Sequence, residues 1–239
     1  MQTTKSNITK FGLYSSILLT ILTIITFGFA MTAIPPSGPC CTGNCMEYPF
    51  SNLLTYYPGD YRWMYLAIFQ LLTFLIFIIS IHFIAPTEKK IFSFVSVAFA
   101  LISTMVLLTD YFTQFSVIPI SMIKGETEGI ALLTQYNGHG IFIALEELGF
   151  IAMSIALFFI APVFSTTNRL EKSLRWLLYL PLILNFIAFV AYSLMFGIDR
   201  SYRFEVAAIS INWLLLIPIG ILISIFFKRI IINESNTYE

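Results

Sequence analysis

Six runs of predominantly apolar residues, each of roughly the 20 residues that a bilayer core demands of a helix, divide the chain. They cover approximately 12–34, 63–85, 91–114, 140–163, 175–197 and 206–228. Each is apolar on all faces, so the pattern has neither the two-residue alternation of a barrel strand nor its length of about 10 residues. The predicted fold class is therefore all-α: a polytopic membrane protein with six transmembrane helices in one membrane domain, 1–239. The first run follows Lys5 and Lys10, as a signal peptide's apolar region would. It is too long for the 7–15 residues typical of such a region, and no small-residue cleavage site follows, so a retained helix is expected.

Orientation follows from lysine and arginine in the short connections. With the N-terminus inside, the cytoplasmic side carries Lys5, Lys10, Lys89, Lys90, Arg169, Lys172, Arg175, Lys228 and Arg229. The other side carries Arg62, Lys124, Arg200 and Arg203. Both termini are then cytoplasmic, and the loops 35–62 and 115–139 face outward. The expected location is the plasma (cytoplasmic) membrane, with the lipid bilayer as the one certain partner.

Composition agrees with the pattern. Of the 239 residues 58% are hydrophobic and 11% charged, and the mean hydropathy is +0.85. A soluble domain carries about 25% charged residues. Thirteen basic residues against thirteen acidic ones leave no excess for phosphates, so nucleic acid is excluded as a partner. The neutral total hides a separation, however. On this topology Glu47, Asp60, Asp110, Glu126, Glu128, Glu146, Glu147, Asp199 and Glu205 all fall in the outer half. An acidic vestibule with low-dielectric walls concentrates cations. Against this stands the plainer account that acids merely fill positions that topology selection ignores.

Ionisable groups at a helix centre cost about 2.5–3.5 kcal/mol each on insertion scales, so those within the spans are the candidate site. The candidate ligand-binding or proton-carrying residues are Gln70, Asp110, Gln114, His139, Glu146, Glu147 and Asn212. Ser103 with Asp110, His139 with Glu146, Glu205 with Asn212 and Trp63 with Gln70 are each seven residues apart, so each pair shares a helix face. Four polar stripes in the outer halves of four helices would line a cavity if they faced one another. Glu146 and Glu147 project about 100° apart, and two adjacent carboxylates in a low dielectric are not both ionised without a cation beside them. The structural alternative pairs Asp110, Glu146 or Glu147 with Arg62, Arg200 or Arg203 and uses Gln70, Asn185 and Asn212 as interhelical hydrogen-bond glue.

All three cysteines, Cys40, Cys41 and Cys45, sit in the first outer loop, where one disulfide joining Cys45 to either neighbour is expected. Tyr48, Phe50, Tyr56, Tyr57, Tyr61 and Trp63 crowd the end of that loop as interface anchors, or as a cap that stacks on an organic cation. In the second outer loop, residues 130–136 suit a short interfacial or re-entrant helix, and flanking glycines suit a lid over the cavity or a segment lying on the membrane surface. Two histidines exclude a three-histidine zinc centre within one chain. No phosphate loop, dinucleotide fingerprint or nucleophile elbow is present, so no metal and no cofactor is expected. Three functions remain: binding or transport of a small cation or cationic amphiphile through an outward acid-lined cavity, an intramembrane acid–base enzyme acting on a lipid-like substrate, and a non-catalytic membrane subunit.

Overall fold

In the computed structural model the described residues are 2–33, 36–38, 41, 43 and 45–236. Eight α-helices follow one another: α1 (Gln2–Thr32), α2 (Arg62–Ile84), α3 (Lys90–Ser116), α4 (Ile118–Lys124), α5 (Ile130–Leu133), α6 (Ile141–Ile160), α7 (Arg169–Phe196) and α8 (Ser201–Asn236). Six of them, α1, α2, α3, α6, α7 and α8, are long and apolar enough to cross a membrane. The chain is an all-α, multi-pass membrane protein.

Helices α1, α3, α7 and α8 are longer than their apolar runs, because a helix ends where its backbone is capped and not where the bilayer stops. α7 begins six residues ahead of the apolar run, where the Asn168 side chain accepts the Leu170 N–H at 3.0 Å. α2 stops at Ile84, two residues before Pro86, which cannot continue it. In the second loop the interfacial helix spans only Ile130–Leu133. A separate turn of helix, α4, precedes it with Pro119 near its start.

Five helices close a ring: α1 packs on α2, α2 on α3, α3 on α6, α6 on α8, and α8 back on α1. α7 lies outside, against α6 and α8, and is the least buried of the six. Lipid removes most of the hydrophobic drive between helices, so close packing and hydrogen bonds must hold them. The α3–α6 pair shows how. Ser96 Oγ donates to Ala156 O at 2.7 Å, and Ser103 Oγ donates to Gly149 O at 2.8 Å. Gly149 is required there, because a Cβ would stand 2.4 Å from Leu107 Cγ.

The loops 33–61, 117–140 and 197–200 gather at one end of the ring, called here the loop end. Cys41 and Cys45 are disulfide-bonded in the first of these loops. Cys40, the other candidate partner, lies outside the described residues.

Candidate functional site

A cavity of about 330 Å³ opens inside the ring at the loop end. The last turn of α1 (Ala30, Met31), the start of α2 (Trp63), the first turns of α6 (Phe142, Ile143, Glu146) and the first turns of α8 form its walls. From α8 come Tyr202, Glu205, Val206, Ile209, Ser210 and Trp213, which recur at helical spacing along one face. Asp60, Gln135 and Tyr136 line the mouth. None of the described lining residues is a lysine or arginine.

Aromatic rings make the floor. Trp213 meets Trp63 edge-on at 6.1 Å, Phe150 at 5.8 Å and Phe27 at 5.9 Å. Trp63 in turn meets Tyr111 at 5.1 Å. The Trp213 side chain is buried, and its indole Nε1 has no hydrogen-bond partner among the described residues.

Carboxyl groups cluster beside this floor. Glu146 is 1% exposed, and Tyr111 Oη donates to its Oε1 at 2.8 Å. Glu205, 6% exposed, lines the same cavity from α8. Asp110 stands behind, in electrostatic contact with Glu146, and its Oδ2 has no partner among the described residues. Among the described residues no three His, Cys, Asp or Glu side chains converge tightly enough to hold a metal ion. The three carboxyls are neighbours and not a chelate.

The two loops are tied together over the mouth. Ser37 Oγ donates to Tyr136 O at 2.6 Å, and Tyr202 Oη donates to Gln135 O. Tyr136 Oη donates to Asp60 Oδ2 at 3.3 Å. Burial, then the neighbouring Tyr61 and Asp60, push the Tyr136 phenol upward from its ordinary value, so it keeps its proton and stays a donor.

The other sequence candidates occupy different ground. Glu147 turns away from the cavity to Arg200, whose Nη2 lies 2.9 Å from Oε2, and Arg200 also sits 4.4 Å over the Phe189 ring. Gln114 clamps the second loop, with Nε2 donating to Leu133 O at 2.8 Å and Oε1 accepting Gln135 N–H at 3.0 Å. His139 is exposed in the turn before α6, its N–H held by Asn137 Oδ1 at 3.1 Å. Gln70 joins α2 to α1 through Thr23 Oγ1 at 3.1 Å. Asn212 accepts Ser154 Oγ at 3.0 Å, and Asn185 of α7 donates to that same oxygen at 2.8 Å, so this network knits α6, α7 and α8.

Of the sequence candidates, then, Glu146 alone lines the cavity, Asp110 stands behind it, and the rest are dispersed. Tyr111, Trp213, Tyr136, Tyr202, Asp60 and Glu205 were not among them. Tyr111 adjoins Asp110, and Glu205 and Trp213 share a face of α8, so a search for aromatics on the same face as buried acids would have found part of the set. Comparison with known protein families, with curated protein sequences and with solved structures gives no match.

Proposed function

We propose that this protein binds or transports a small organic cation or cationic amphiphile in the cavity bounded by α1, α2, α6 and α8. One observation carries the proposal: Glu146 and Glu205 line one cavity together with Trp63 and Trp213, in a space with no described basic lining residue. A buried carboxyl pair supplies negative charge, and aromatic faces attract a cation through their quadrupoles. Among the described residues no chelating trio of His, Cys, Asp or Glu converges, which favours an organic cation over a metal ion. Charge asymmetry along the sequence supports an orientation with both termini in the cytoplasm and the cavity opening outward across the plasma membrane.

Two of the chain's three tryptophans, Trp63 and Trp213, line the cavity, and their fluorescence is the direct readout. Titration of the purified protein in lipid nanodiscs with benzyltrimethylammonium should give saturable quenching. Glu146→Gln and Glu205→Gln should each weaken it at least tenfold while the protein stays folded by circular dichroism. Absence of saturable quenching in the wild type, or equal affinity in the variants, overturns the proposal.

The placing of two buried carboxyl groups, Glu146 and Glu205, on one cavity favours one second reading, an acid–base enzyme on a lipid-like substrate. It is separated from the first by the Glu146→Gln variant: an enzyme loses turnover and keeps substrate binding, whereas a cation site loses binding itself.

A further inference from the structure

Two of the helices that wall the cavity, α1 and α8, also pack on each other. Near the chain termini α1 and α8 are pressed together. A Cβ on Gly220 would stand 2.2 Å from Thr20 Oγ1, and one on Gly12 would stand 2.3 Å from the Phe227 ring. Ser224 Oγ donates to Ser16 Oγ at 2.9 Å across the same seam. Toward the loop end both helices line the cavity. Met31 of α1 and Val206 of α8 line it and are 56% and 38% exposed. Both lie within helices that are apolar enough to span the membrane.

At about 330 Å³ the space is at the small end of ligand pockets, enough for a headgroup and the first part of a chain but not a whole lipid.

We infer that the ligand is a single-chain cationic amphiphile, a long-chain amine or alkylammonium, that passes from the bilayer between α1 and α8. Its charged head rests on Glu146 and Glu205, and its alkyl chain leaves past Met31 and Val206 into the lipid. This rests on the cation-binding proposal and adds the ligand's shape and its route. An acidic cavity open only to water would select compact, soluble cations; one open to lipid selects molecules with a tail.

The test is photolabelling of the full chain in phosphatidylcholine nanodiscs with dodecylamine carrying a diazirine at the chain end. Labelling is repeated with excess benzyltrimethylammonium and in the Glu146→Gln/Glu205→Gln variant. The expected result is adduct formation on Met31, Val206 and their neighbours on α1 and α8, at least fivefold above the lipid-facing side of α7. The same adducts should disappear with competitor and in the variant. Competable adducts on the loops 33–61 or 117–140 instead, or competitor-insensitive labelling alone, overturn the lateral route. The two proposals fail separately. If benzyltrimethylammonium does not quench tryptophan fluorescence, the cation site itself falls. If it quenches while the chain-end label maps elsewhere, only the lateral route falls.

Discussion

Tyr111 donates its phenolic hydrogen to Glu146 Oε1 at 2.8 Å across the α3–α6 interface, with both side chains shut away from the surface. The contact joins the tightest helix pair of the ring to the wall of the cavity. Tyr111→Phe keeps the ring contact with Trp63 and removes one donor from a buried carboxyl. Leaving such an acceptor short costs about 1–3 kcal/mol. The expected outcome is a lower unfolding midpoint in a detergent denaturation series, with the helical signal of the native state retained. An unchanged midpoint would show that Glu146 is satisfied without Tyr111.

Protons and cations compete for the same oxygens. A cation binds Glu146 and Glu205 best when they are ionised, so its affinity should fall as pH falls and rise as pH rises. The acids and phenols around the pair are Asp110 and Tyr111 from α3, Asp60 and Tyr136 at the mouth, and Glu147 on the far side of α6, which is held by Arg200. Benzyltrimethylammonium affinity measured between pH 5 and 9 should lose up to tenfold per pH unit for each proton displaced. Glu205→Gln, which leaves fewer protons to displace, should flatten that dependence. A pH-independent affinity in the wild type would contradict direct competition.

Glu147 and Arg200 form a structural tie, and their removal should leave a different signature. The pair links α6 to the turn before α8, and Arg200 also covers the Phe189 and Phe204 rings. Glu147→Gln should destabilise the protein by about 1–3 kcal/mol, in the range of hydrogen bonds to charged groups. The double variant Glu147→Gln/Arg200→Gln should cost less than the sum of the two single changes, since the partner is no longer left bare. Additive losses in thermal unfolding would mean that the two charges are not coupled.

Gly149 lets α3 and α6 approach closely, and the space a side chain would take is filled by Leu107. Gly149→Ala puts a methyl group 2.4 Å from Leu107 Cγ, and overpacking of this kind costs about 1–3 kcal/mol. Leu107→Ala in the same chain should recover most of that loss. Unfolding midpoints of the two single variants and the double variant measure it. A double variant less stable than Gly149→Ala would place the clash elsewhere.

The membrane class and the six helices were legible in the sequence, because bilayer thickness is a one-dimensional requirement that a run of apolar residues meets or fails by length alone. The concentration of polar groups toward one end was legible for the same reason, since depth along a helix is counted in residues. The partner of each polar group was not, and Glu146 and Glu147 show why. They are adjacent in the chain and alike in chemistry, yet the helical turn between them sends one to Tyr111 and the cavity and the other to Arg200. The choice depends on residues 35 and 53 positions away, brought near only when α3 and α8 close against α6. Likewise Asn212 shares a stripe with Glu205 in sequence, but its side chain is satisfied by Ser154 Oγ and the Phe150 and Ala208 carbonyls and does not line the cavity. Length and polarity along the chain determine which segments cross the membrane. The packing of one helix against another decides which of their polar groups neutralise each other and which are left facing an open space.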